Sequence, residues 1–324
     1  MKSSHDSSIK TSYSAPTAIN IVITFAAFSV YLIALWVASH GETFLMKALA
    51  VLAFALCSNT LFSLLHEAVH GNFSGSRVTN EIFGQVVAMT FPTGLRFQRT
   101  CHFGHHLNNR TDHEIFEMYY PNDNLFLKNI QLYSILTGPY WLSVSLGWLL
   151  YLFFPWFYRL ADTKFAKQSK FTDAAMFKPF IKHPARHRIR FELILTIAFQ
   201  VFIYHWLKLS FWPTFACFWT FGLIWGSLQY ADHAYTKRDI RNGAWNLKVN
   251  PVVRMIFLNY HHHQVHHLNP QIPWLHLGKH IDESAEQPSF LKIYFRMWRG
   301  LVPVESKAPE AVEESFKQDY LVDH

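Results

Sequence analysis

Residues 18–39 and 211–230 contain no charged side chain, while 43–65 and 191–207 contain one each, Lys47 and Glu192. A helix needs about 20 consecutive apolar residues to cross the hydrocarbon of a bilayer. Four such stretches leave little room for a soluble fold. The joints within each pair are short: His40-Gly41-Glu42 and Lys208-Leu209-Ser210. The pattern predicts an all-α membrane protein with four transmembrane helices arranged as two hairpins. The first run exceeds a signal-peptide core and a second run follows at once, so cleavage is not expected. Composition agrees: 50% of the 324 residues are apolar and only 16% are charged. A disordered chain would show the reverse balance.

Two further apolar segments read differently. Residues 130–154 are interrupted by Gly138-Pro139. If they crossed once, the basic segment 155–190 would face the far side, against the positive-inside tendency. They are read as an interfacial or re-entrant element. Residues 82–95 are too short to span, are broken by Pro92, and are also read as interfacial. Both termini then face the cytoplasm. The chain divides into a polar N-terminal tail (1–17), an integral-membrane domain (18–303) and a charged C-terminal tail (304–324). The net charge is +7. Because the basic residues lie between apolar runs, an anionic leaflet explains them better than nucleic acid does. Cys57 and Cys217 lie in apolar runs and Cys101 lies beside histidines, so reduced thiols are expected.

The chain holds 20 His against 22 acidic residues. Eight of the histidines fall into three clusters: His66 and His70; His102, His105 and His106; His263, His266 and His267. Positions three and four apart share one face of a helix, so each cluster converges. His233 follows the fourth apolar run much as His66 ends the second. All nine are expected at the cytoplasmic membrane boundary, on a cap that carries the clusters. Four ligands satisfy one zinc, so eight or nine imidazoles fit two metals. The near-absence of thiolates disfavours an iron–sulfur cluster, but imidazole suits Fe, Cu, Ni and Zn alike. A ligating His usually donates its second N–H to a carboxylate or carbonyl. Glu67, Asn109, Asp112 and Asp232 are the candidates by proximity, and each is equally well read as an ordinary polar residue at a membrane surface. His113, His261 and His262 adjoin the clusters without a clear assignment.

The segments HEAVHG (66–71), HFGHH (102–106) and HHHQVHHLNPQIPW (261–274) resemble the membrane-bound fatty-acid desaturases, within the wider fatty-acid desaturase/hydroxylase superfamily. The resemblance covers roughly residues 20–300. It implies a non-haem di-iron centre, O₂ as co-substrate and two electrons from a separate donor such as a ferredoxin or small b-type cytochrome. It carries over His66, His70, His102, His105, His106, His263, His266 and His267 as ligands, with His233 as an extra one. In similar enzymes an amide one turn before that extra His holds a metal-bound water. The matching residue here is Gln229, where the family pattern has Asn.

The implied reaction is O₂-dependent desaturation of a fatty acyl chain, as acyl-lipid or acyl-thioester, in a bacterial inner membrane or endoplasmic reticulum. Phe62, Phe83, Trp225 and Gly226 are candidates to line the acyl tunnel. A carotenoid ketolase or lipid hydroxylase would use the same site, and no residue chooses among these outcomes. A His-rich metal transporter or sensor would need ionisable residues inside the spans, and these spans carry almost none.

Overall fold

The computed structural model describes residues 13–156, 180 and 183–310. Most of both expected tails, and Arg159, Lys164, Lys167, Lys170, Lys178 and Lys182 of the basic segment, lie outside the described residues.

The chain is mostly helical. Helices α1 (Thr17–His40) and α2 (Phe44–Val69) form the first hairpin. Thr43 caps α2 by accepting the Met46 N–H at 3.2 Å, which satisfies one of the donors a helix start leaves open. Ala27, Tyr31, Ala34, Leu35 and Ala38 form the buried stripe of α1. The three alanines let α1 approach α2 closely. The opposite face exposes Val22, Phe25, Ile33 and Trp36, a surface that suits lipid rather than water.

Helix α3 (Arg77–Thr90) begins at its Ser76 cap, and α4 (Leu95–Asn108) follows beyond Pro92. A short strand, β1 (Met118–Tyr119), then leads to α5 (Leu125–Thr137) and α6 (Pro139–Phe153). These two helices meet at 96°. Gly138 makes the bend with φ +101°, and an added Cβ would sit 3.0 Å from the Trp219 ring. Pro139 opens α6 at a position where its missing N–H costs nothing. The Gly138-Pro139 break expected from sequence is therefore a sharp corner.

Helices α7 (Arg186–Trp206) and α8 (Phe211–Ala231) follow, joined by a short turn; α7 packs on α3 and α4, and α8 on α2, α5 and α6. Among the described residues, four short α-helices follow: α9 (Pro251–Ile256), α10 (His263–Leu268), α11 (Trp274–Leu277) and α12 (Phe290–Met297). Strand β2 (Val302–Pro303) pairs in parallel with β1.

Among the described residues, α1, α2 and α7 are long and apolar enough to cross a membrane, and the bent α5–α6 pair would make a fourth if it counts as one span. Helix α8, the fourth expected span, is uncharged and 21 residues long but is not in that set. Its three tryptophans, two glycines, Ser227 and Gln229 make it less apolar. Much of its surface packs inward, burying Phe221, Gly222, Trp225 and Gly226.

The main core joins α1, α2 and α8 through aromatic contacts such as Tyr31 on Phe54 (4.8 Å) and Phe54 on Phe218 (5.0 Å). An ionic knot ties α3, α4 and α7. Arg96 pairs with Glu192 and with Glu81 (3.1 Å), and Arg99 pairs with Glu81 (2.7 Å).

Candidate metal centre

Helix α2 ends in two histidines one turn apart, and its end is fixed from outside. Arg99 of α4 donates to the Val69 carbonyl (3.0 Å) and the Ala68 carbonyl (3.1 Å). Those carbonyls have no partner inside the helix. The contact locks α2 to α4 one turn before His102. Helix α4 presents His102, His105 and His106 on successive turns. His233 sits on the turn that follows α8, and α10 carries the third cluster.

The nine rings converge, but not cluster by cluster. His66, His70, His102 and His266 form one group, and His105, His233, His263 and His267 form another; within each, the ligand-type atoms lie within 4.8 Å of one another. His106 adjoins the first group, its Nε2 3.0 Å from His102 Nε2 and 3.1 Å from His266 Nε2. Its ring also stacks on His267 at 4.2 Å. The second cluster thus supplies both groups, and so does the third.

The residues fit metal binding on their own chemistry. Nε2 atoms face one another at 2.8 Å (His70–His102), 3.1 Å (His105–His233) and 3.2 Å (His263–His267). A neutral imidazole has one donor and one acceptor, so facing nitrogens this dense cannot all be satisfied by bonding to each other. The His66 Nε2 is buried without any hydrogen-bond partner. Burial, reinforced by neighbouring rings, holds His70, His102, His106, His233, His263, His266 and His267 well below the usual 6.5. They are neutral at pH 7, the form that binds a metal.

Two rings have visible orienting partners. His105 Nδ1 lies 2.7 Å from Glu114 Oε2, and His233 Nδ1 lies 2.8 Å from the Gly243 carbonyl oxygen. Each contact assigns the proton to Nδ1 and leaves Nε2 free for a ligand. Gly243 has to be glycine: an added Cβ would lie 2.3 Å from the Asp239 carbonyl and 2.4 Å from the Arg110 side chain.

Of the expected orienting residues, Asn109 contributes at one remove, its amide donating to the Gly243 carbonyl at 3.2 Å. Glu67 instead accepts the Trp274 N–H (3.0 Å), and Asp112 accepts from Arg238 (2.7 Å) and Tyr120 (2.8 Å). Asp232 is fully buried, its carboxylate without a hydrogen-bond partner and its pKa pushed well above 3.8 by burial. Glu114 was not anticipated. It lies nine positions beyond His105, outside any helical repeat, and no spacing rule singles it out.

A cavity of about 160 Å³ opens beside the histidines. His102 from the first group and His105 and His233 from the second line it, with Phe62, Phe97, Phe116, Tyr140 and Trp225 as aromatic walls. Gly226 and Gln229 also line it. The Gln229 Oε1 accepts the Tyr260 hydroxyl at 2.6 Å. Three of the four expected tunnel residues are thus present. Phe83 is not: its ring stacks on Phe73 at 5.5 Å.

Apolar helices of membrane-spanning length and two buried groups of four histidines are the features of a helical membrane protein able to hold metal. A family model described as fatty acid desaturase matches residues 42–298. The chain belongs to the fatty acid desaturase family, a group of oxidoreductases known for metal use. No curated protein matches it.

Proposed function

We propose that this protein is a membrane di-iron oxygenase that desaturates a fatty acyl chain, with His66, His70, His102, His106 and His266 around one iron and His105, His233, His263 and His267 around the other. One observation carries this reading: a single apolar cavity is walled by histidines of both groups. A methylene chain lying there would pass beside both metals.

Two irons held in these groups would supply the oxidation, in which an adjacent CH₂–CH₂ pair, O₂, two electrons and two protons give CH=CH and two waters. The protein's own part is placement and exclusion of water. Phe62, Trp225, Phe116 and Tyr140 grip the chain. Glu114 and the Gly243 carbonyl hold His105 and His233 in the ligating tautomer. Gln229 is assigned to hold a water beside the second group; with its oxygen taken by Tyr260, its N–H₂ is the side left to meet it.

In this reading four helices cross the bilayer as two hairpins, α1–α2 and α7–α8. Both termini and the histidine cap face the cytoplasm, and α5–α6 is re-entrant. The hydroxyl groups of Thr60 and Ser63 on α2 support a boundary position for the site. They donate to the Ile256 carbonyl (2.7 Å) and the Phe257 carbonyl (3.1 Å). Thr60 lies about 9 Å along α2 from His66, at 1.5 Å per residue. Helix α9, close to the third histidine cluster in sequence, is therefore packed beside the last turns of a candidate span. The electrons come from a separate protein, a ferredoxin or b-type cytochrome. Exposed Lys237 and Arg241, on the loop leading to Gly243, offer it a basic approach to His233.

The test is lipid profiling by mass spectrometry of cells expressing wild type or His266→Ala. The expected result is a new alkene-containing acyl chain that the variant abolishes while still inserting in the membrane. A hydroxyl or ketone product would reassign the outcome of the same site, and identical lipid profiles would overturn the oxidation itself.

A further inference from the structure

Residues 109–118 and 230–236 approach the second histidine group from separate parts of the chain. The first segment carries Glu114, which accepts the His105 Nδ1–H hydrogen bond, and the second carries His233. An ion pair with no solvent exposure closes the first segment on itself, Arg110 Nη2 lying 2.9 Å from Glu117 Oε1 with both side chains 0% accessible, and each partner reaches across to the second segment. Glu117 also accepts the Tyr230 hydroxyl and, at 2.8 Å, the Tyr235 backbone N–H. The Tyr230 oxygen in turn accepts the N–H groups of Phe116 and Glu117. Arg110 reaches the Thr236 carbonyl at 3.2 Å, and its stem packs where a Gly243 side chain would otherwise lie. Arg110 holds φ +60°, a conformation a non-glycine residue adopts at some cost.

A buried ion pair is a weak source of stability, since apolar residues of the same volume often do as well or better. Its presence here, with a strained backbone, asks for another role. We propose that Arg110 and Glu117 are positioning residues that clamp these two segments, keeping His105 and His233 at ligand spacing for the second metal. The first group draws on His66, His70, His102 and His266, none of which lies on the clamped segments. The inference rests on the two-metal reading above and concerns only the second site.

The test is iron stoichiometry of the purified full-length protein after reconstitution with Fe(II), alongside its thermal transition in detergent. Wild type should hold two irons. Arg110→Met/Glu117→Leu removes the clamp without leaving a lone buried charge. It should unfold cooperatively yet hold about one iron, and Arg110→Lys should recover part of the second. A folded double variant that retains two irons, or loses both, overturns the clamp. If the double variant does not fold, Tyr230→Phe gives the same reading: one iron of the two should pass to a chelator at least tenfold faster than in wild type, and release of both at wild-type rates overturns the proposal. Fewer than two irons in the wild type would instead sink the two-metal reading on which the clamp depends.

Discussion

Glu114 acts through a neighbour, and that makes it testable apart from the histidines. Glu114→Ala removes the acceptor for His105 Nδ1–H and should weaken metal affinity 10–100-fold, the usual scale for lost orienting partners. Glu114→Gln keeps an acceptor oxygen and should stay within a few-fold of wild type; equilibrium competition with a metal indicator measures both. Glu117 makes a pH prediction. Burial opposes its ionisation, yet the Arg110 guanidinium and the Tyr230 and Tyr235 donors pull its carboxyl below the ordinary 4.5. A depressed carboxyl stabilises the fold above its unfolded value, and that stability is lost as pH falls through the folded value. The melting temperature of wild type should therefore drop below pH 4.5 more steeply than that of Glu117→Gln. The histidines were legible because an imidazole repeated every three or four positions is rare and its helical geometry is local. Glu114, Gly243 and Arg110 were not, because each acts across a loop whose path is set by tertiary contacts. Asp112 and Glu67 were misleading for the same reason: proximity in sequence does not decide which partner a carboxylate meets.

Helix boundaries followed the apolar runs to within a few residues for α1 and α2, because apolar stretches of that length have no other stable single-segment conformation in lipid. The start of α7 did not, since Arg186, Arg188 and Arg190 continue the helix beyond the apolar run. Helix α8 shows what hydropathy misses. Its inward face must fit beside α5, α6 and the cavity, so it uses Gly222 against Trp141, Gly226 against the Ile135 carbonyl, and Trp225 instead of Leu and Ile. Helices α9 and α12 carry a prediction. Lys248 N–H donates to the Pro288 carbonyl and Phe290 N–H to the Lys248 carbonyl, which ties the start of α12 to the segment leading into α9. Together they expose Val252, Met255, Leu291 and Phe295, while Lys292 and Arg296 lie on the same exposed side of α12. This mixture matches the surface of an anionic leaflet. Spin labels at those four positions in nanodiscs should be relaxed by oxygen and shielded from a water-soluble nickel complex. The reverse pattern would remove these helices from the lipid.

At the scale of the whole molecule, the three histidine segments read from sequence are not three sites. The first metal group takes residues from α2, α4 and α10, and the second takes them from α4, the turn after α8, and α10. That interleaving could not be read from spacing, because spacing reports which rings share a helix face and not which faces meet. It has a consequence for biosynthesis. His66 and His266, which belong to one group, stand two hundred positions apart; that group is incomplete until residue 266 has left the ribosome, and the other until residue 267 has. A nascent chain carries donors but no finished pocket, so metal bound by these groups would be captured after translation. A polypeptide that stalls or is cut before the last cluster keeps its hydrophobic helices yet never acquires its cargo.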